Sequence, residues 1–105
     1  MSLRSDFLAA VPASEIADFT LNGQTFKIGV KIYSFKDYDA ALKTFQDGAD
    51  DHARAAVMAG WFFDPVTGEP LFTPEDIDAL PLSVSKRLIT LFSEVNMGTL
   101  EAKKN

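Results

Sequence analysis

The chain has 105 residues, a formal net charge of −5 and no cysteine. This length suits one domain, 1–105, and is too short for two. The lack of cysteine excludes a disulfide framework and thiolate chemistry. The acidic charge disfavours DNA or RNA as a partner, because it repels phosphate backbones. No secretory leader and no long apolar run is visible, so we expect a cytosolic protein that does not enter a membrane.

The first fifteen residues predict either a short helix or a poorly ordered segment. Leu3, Phe7, Leu8 and Val11 recur at a spacing typical of one helical face. Pro12 follows, and proline cannot continue a helix without loss of a hydrogen bond. We therefore expect any helix here to end near Val11.

A β-hairpin is predicted over 16–33, with Asn22 and Gly23 as its turn. This dipeptide is preferred in two-residue type I′ turns, which need positive φ at both positions. The turn sets the cross-strand register, and the register places apolar residues on one face and polar residues on the other. The predicted pairs are Leu21 with Gln24, Thr20 with Thr25, Phe19 with Phe26, and Asp18 with Lys27, and the apolar face also includes Ile28, Val30 and Ile32.

Residues 34–98 predict about four helices, followed by a flexible tail over 99–105. Ser34 and Thr73 have an acidic residue three positions later, as in a capping box, and Pro74 suits the first position of a helix. The four predicted helices run from Ser34 to Gly48, from Asp50 or Asp51 to Trp61, from Thr73 to Ala79 or Leu80, and from Leu82 or Ser83 to Gly98. The expected fold class is α+β, with the N-terminal hairpin packed against this helical bundle.

Acidic residues dominate 47–78, where Arg54 is the only basic residue. Several of them, such as Asp51 and Asp76, lie near predicted helix N-termini, where a negative charge is stabilising. The acids therefore act as caps and keep the protein soluble, or they form a face for a basic partner. The sequence leaves both interpretations open.

No constellation of catalytic, cofactor-binding or metal-binding residues is found. His52 is the only histidine, and a single histidine without cysteine cannot form a common zinc site. The acids around Gly68 do not follow the spacing of a calcium-binding loop. An enzyme or small-ligand protein would need a deep pocket with convergent polar groups around His52. We expect no catalytic residue, no cofactor and no metal.

Large apolar residues cluster on both sides of a polar turn at 64–70, and 62–72 is expected to form a tight turn between two short extended pieces. One interpretation is that they all belong to the core, which is the usual place of clustered aromatic residues. The other is that some form an exposed surface for protein binding, because so many are hard to bury in a small domain. The candidate protein-binding residues are Trp61, Phe62, Phe63, Leu71 and Phe72.

From Val57 onward the chain resembles the tail assembly chaperones of long-tailed bacteriophages. That family shows an apolar helix, an acidic turn with glycine, a Leu-Phe pair, a threonine, a short acidic helix and a final Leu/Phe-rich helix. The matching segments are 57–63, 64–68, 70–73, 74–80 and 88–98. The upstream hairpin is also similar to the β-rich start of the family. Trp61 and the length of the 64–68 turn depart from the family pattern.

The resemblance implies an assembly factor without enzymatic activity, in the cytoplasm of a bacterial host. Its expected partners are the phage tape-measure protein and the tail-tube protein, and self-association is expected as well. Such a protein keeps the long tape measure soluble and recruits tube subunits around it. The alternative is a structural subunit that stays in the tail or the connector of the phage particle.

Overall fold

The structure, a computed structural model, describes residues 2–46 and 51–98 and has the expected α+β fold. The predicted helix boundaries at Gly48 and Asp50 and the predicted tail over 99–105 lie outside the described residues. The elements are α1 Leu3–Ala10, β1 Ser14–Leu21, β2 Gln24–Lys31, α2 Phe35–Gln46, α3 Asp51–Ala59, β3 Phe62–Phe63, α4 Pro74–Ala79, α5 Leu82–Ser93 and a π-helical turn, Glu94–Gly98.

The β1–β2 hairpin has the predicted turn and the predicted register. Asn22 has φ of 49° and Gly23 has φ of 79°, so both lie in the left-handed region that a type I′ turn requires. The partners Leu21–Gln24, Thr20–Thr25, Phe19–Phe26 and Asp18–Lys27 are all observed. The hairpin extends over 14–31 rather than the predicted 16–33, because Ser14 already pairs with Lys31.

A third strand joins the hairpin, formed by the extended piece expected before the turn at 64–70, although its pairing with β2 was not predicted. β3 lies antiparallel to β2, with Gly29 opposite Phe63 and Val30 opposite Phe62, so the strand order is β1-β2-β3. The segment 34–98 therefore contains a short strand besides its helices. Two residues in a strand are too few to show a period in sequence, and this pairing is long-range.

The core lies between the inner face of the sheet and the helices. The Trp61 ring lies in this core beside two other aromatic rings. The Phe92 ring stacks on it with 3.9 Å between centroids, and the Phe45 ring lies 5.5 Å away. Phe62 and Val30 are buried beside each other on paired strands. Aromatic pairs of this kind add stability beyond the area that they bury.

Asn96, in the π-helical turn, ties the end of α5 to the end of β2. Its Oδ1 accepts the Tyr33 N–H at 2.7 Å, and its Nδ2 donates to the Lys31 carbonyl at 3.1 Å and to the Phe92 carbonyl at 3.0 Å. One amide side chain thus pairs three backbone groups just beyond the end of the sheet. Buried backbone groups need such partners.

Candidate functional site

An apolar groove lies over the inner face of the hairpin, near its turn. Its volume is about 380 Å³, within the range of roughly 300–1,000 Å³ that is usual for binding pockets. Two charged residues, Lys27 and Asp64, line it together with the apolar side chains. The apolar lining consists of Phe19, Leu21, Phe26, Ile28, Pro65, Leu71, Phe72, Leu80, Val84 and Leu88.

The floor of the apolar groove is the apolar face of the hairpin. Phe19 and Ile28 are buried at its base, and Leu88 of α5 is buried against them. Near the turn the helices no longer cover the sheet. Phe26 there remains 41 % exposed, although its cross-strand partner Phe19 is buried. The helices therefore cover only part of the face that the alternating pattern predicts.

One wall of the apolar groove is the loop that follows β3. It is closed by the Asp64 N–H, which donates to the Glu69 carbonyl at 2.8 Å, and by the Gly68 N–H, which donates to the Asp64 carbonyl at 2.7 Å. The Asp64 carboxylate also accepts the Val66 N–H at 2.8 Å. Gly68 has φ of 80°, which glycine adopts without strain. The turn residues thus fold the chain back alongside β3.

Leu71 and Phe72 are held in place from both sides. The Leu71 N–H donates to the Phe62 carbonyl at 3.3 Å, and the Phe72 ring meets the Phe62 ring edge-on at 6.0 Å. Directly after them, Thr73 forms the predicted capping box with Asp76, with both reciprocal hydrogen bonds present. The backbone of this wall is therefore fixed before a ligand arrives, which lowers the entropy cost of binding.

The other wall is the turn between α4 and α5. Leu80 and Val84 are half-buried and line the apolar groove above Leu88. Pro81 between them separates the two helices and is the N-cap residue of α5, since proline has no N–H to donate to a helical ladder. Because both walls and the floor are mostly apolar, the apolar groove can bind an apolar side chain or the apolar stripe of a helix.

The structure separates the five predicted protein-binding residues. Trp61 is 3 % exposed and Phe62 is 1 % exposed, so both belong to the core and have no free surface for a partner. The prediction that Trp61 and Phe62 bind a partner is therefore corrected. The stacked Phe92 ring covers Trp61, and Phe62 is paired with β2. Leu71, 37 % exposed, and Phe72 line the apolar groove.

Phe63 lies on the opposite, outer face of the sheet. Its ring covers Gly29, because a Cβ at that position would come within 2.4 Å of the Phe63 ring. A neighbouring aromatic residue often covers a glycine in this way in β-sheets. Phe63 therefore does not share a surface with Leu71 and Phe72, although it is close to them in sequence.

Leu80 and Val84 carry no sequence signal that marks them as site residues, and the alternating pattern predicts Phe26 in the packed face of the hairpin. The capping signals at Thr73 and the stop at Pro81 indicated two helices, but not their distance from the hairpin turn. Only the tertiary arrangement shows that the helices leave the turn end of the sheet uncovered.

Three further observations concern His52, metal binding and membranes. His52 is exposed on α3 and lies outside the apolar groove. Within residues 2–46 and 51–98, no group of three or more acidic or histidine side chains is placed to hold a metal ion. Among the helices that the structure describes, none is both long enough and apolar enough to cross a membrane.

Comparison of the chain with protein-family models, with curated proteins and with solved structures finds no match.

Proposed function

We propose that this protein binds a partner protein through the apolar groove, as an assembly chaperone of a phage or prophage tail. The observation that carries the proposal is the apolar groove itself, with Leu71 and Phe26 still 37 % and 41 % exposed in a folded domain. Exposed apolar patches with a polar surround mark interaction sites. The resemblance of 57–98 to tail assembly chaperones supports the tape-measure protein as the partner.

The shape of the apolar groove favours an amphipathic helix as the bound element. Helices dock in such grooves through apolar anchors at positions i, i+3, i+4 and i+7. A tape-measure protein is a long helical chain with many such stretches, and they aggregate when left uncovered. A contact of moderate strength at each groove is sufficient, because many copies bound along one chain act together.

The charge around the loop wall indicates which helix would bind best. Asp64, Glu69, Glu75 and Asp76 surround the Leu71–Phe72 pair in sequence, and the last three are exposed. A partner stripe flanked by Lys or Arg would therefore associate faster, and high salt would slow that association. Lys27 also lines the apolar groove, and its Nζ pairs with the Asp18 carboxylate on the neighbouring strand.

The test is the affinity of the purified protein for the tape-measure protein encoded in the same tail gene cluster. Leu71→Asn places a polar group in the apolar groove and should weaken binding by about 1–3 kcal/mol, the usual cost of losing an important interface residue. Leu82→Asn is the matched control, because Leu82 is exposed and lies outside the apolar groove. Both variants should melt close to the wild type.

Equal binding by wild type and Leu71→Asn would refute the apolar groove as the docking site. The alternative function, a structural tail or connector subunit, makes a different prediction. Mass spectrometry of purified particles would then find this chain at stoichiometric copy number, whereas a chaperone is absent from the finished particle.

A further inference from the structure

The outer edge of β1 is an open strand edge. β1 has a strand neighbour on one side only, among the residues that the structure describes. The Ala13 carbonyl accepts the Ile32 N–H at 3.0 Å, so odd-numbered residues of this strand direct their backbone groups to β2. Because this direction alternates along a strand, Ser14, Ile16, Asp18 and Thr20 direct theirs outward. An open edge of this length is a template for another strand.

We propose that a second copy of this chain occupies this edge, with the two β1 strands antiparallel about a two-fold axis at Ile16. The two sheets then form one continuous six-stranded sheet. This inference does not depend on the apolar groove, which lies on a different part of the molecule.

Backbone hydrogen bonding and charge select this register. Only registers that pair even-numbered with even-numbered residues align the outward backbone groups. An axis at Asp18 would oppose two carboxylates, and an axis at Glu15 would do the same, and like charges directly opposite are destabilising. Of the four axes from Glu15 to Asp18, those at Ile16 and at Ala17 avoid both clashes.

Arg87 distinguishes the two remaining registers. Its Nη2 donates to the outward carbonyl of Thr20 at 2.6 Å, and its guanidinium lies 4.5 Å from the centre of the Phe19 ring. An axis at Ala17 needs the Thr20 carbonyl as an acceptor for Ser14 of the second copy. An axis at Ile16 places Pro12 there instead, and proline has no N–H to donate. Arg87 can then keep its hydrogen bond.

The outer face of the sheet also favours Ile16. Ile16 is 59 % exposed between polar neighbours, Ser14 and Asp18. It pairs with Gly29, which in turn pairs with Phe63, so the three form one apolar row across the sheet. An axis at Ile16 joins this row to its copy and covers the exposed isoleucine on both sides.

The self-complementary apolar row and the exposed helix α1 support a second copy rather than an unrelated strand. The register places Glu15 of the second copy opposite Ala17, beside a groove that Lys86 and Arg87 line together with Asp18 and Glu94. Antiparallel pairing also brings α1 of each copy towards the hairpin turn of the other. Every residue of α1 is exposed, including Phe7 and Leu8, so contact there adds area towards the roughly 1,200 Å² of a stable interface.

The first test is the oligomeric state over a dilution series, by sedimentation or light scattering. Wild type should be a dimer that dissociates on dilution. Ile16→Pro removes an N–H that points away from β2, which proline tolerates at an edge, and should weaken the dimer roughly 10- to 100-fold. Thr25→Pro is the matched control, because Thr25 lies on the other strand of the hairpin. It should leave the dimer intact.

The second test maps the axis by cysteine cross-linking, which is clean because the chain has no cysteine. Opposed residues in a hydrogen-bonded pair have Cα atoms about 5.5 Å apart, within the range of about 4.4–6.8 Å for a disulfide. Ile16→Cys should form a covalent dimer on oxidation, and Asp18→Cys should not. A monomer at all concentrations, a dimer unaffected by Ile16→Pro, or cross-linking through Ala17→Cys in preference to Ile16→Cys would overturn the proposal.

Discussion

The close approach of Phe63 to Gly29 makes Gly29→Ala a sharp test of the sheet. An added Cβ would lie 2.4, 2.5 and 2.7 Å from three carbon atoms of the Phe63 ring, whereas carbon atoms in contact are about 3.5–4.0 Å apart. The ring must therefore move by about 1 Å or leave the glycine. Overpacking of this kind costs about 1–3 kcal/mol.

The intrinsic preference for alanine in a strand opposes this cost by roughly 0.5–1 kcal/mol. We therefore expect Gly29→Ala to lower the free energy of unfolding by about 1 kcal/mol, since the difference between these two ranges runs from about 0 to 2.5 kcal/mol. In a Phe63→Ala background the clash is gone, so the same substitution should become neutral or stabilising. The sign of the effect thus depends on residue 63.

The assay is urea unfolding followed by the fluorescence of Trp61, the only tryptophan and a buried one. Four proteins complete the double-mutant cycle, and neighbours of this kind couple by about 0.5–3 kcal/mol. Gly60→Ala is the matched control, because its nearest atom would be the Val57 carbonyl oxygen at 3.4 Å, an ordinary contact. Additive effects of Gly29→Ala and Phe63→Ala would refute the placement of this ring.

Three further predictions concern single residues. Asn96→Ala leaves the Tyr33 N–H and the Lys31 carbonyl without this partner and should destabilise by about 2–4 kcal/mol, whereas an unchanged urea midpoint would contradict the tie. Gly23→Val should cost about 1–2 kcal/mol in a thermal melt, because Gly23 has φ of 79° and the space around it is open, so only backbone strain acts. Burial, and then the nearby Asp37 carboxylate, raise the pKa of the Tyr33 phenol above its usual 10.0, so the unfolded chain ionises first and stability should fall as the pH rises past that value. Tyr33→Phe should flatten this alkaline slope, and an identical slope in both proteins would contradict the assignment.

Local signals in the sequence predict the hairpin and the helix caps in detail. Asn22 and Gly23 determine the turn through backbone conformation alone, and a two-residue turn leaves one register. Thr73, Pro74 and Asp76 likewise act within one turn of helix, and the capping box forms as expected. Such features need no information about distant parts of the chain.

Long-range features were not predictable in the same way. β3 is two residues long, and its pairing with Gly29 and Val30 brings together segments more than thirty positions apart in sequence. Three consecutive aromatic residues, 61–63, show no period that would assign each one to a face. Pairing with β2 decides that Trp61 and Phe62 are buried and that Phe63 lies on the outer face of the sheet. Asn96 gave no signal in sequence, because its partners are backbone groups of a remote strand.

The candidate site lies between these two cases. Leu71 and Phe72 stood out by composition and do line the apolar groove. Leu80 and Val84, which line the opposite wall, did not stand out. An amphipathic pattern identifies the apolar stripe of a helix, but it does not show which part of that stripe stays uncovered in the fold. The hypothesis of a tape-measure chaperone rests on the order of motifs after Val57 and stays a prediction.

The most direct test of protein binding through the apolar groove is an NMR titration of isotope-labelled protein with a helical fragment of the tape-measure protein. We predict that the amide shifts change most at the groove lining, at Phe26, Leu71, Phe72 and Val84, and that Leu71→Asn removes these changes while Leu82→Asn retains them. Shift changes centred elsewhere, or no change at saturating fragment, would contradict the account.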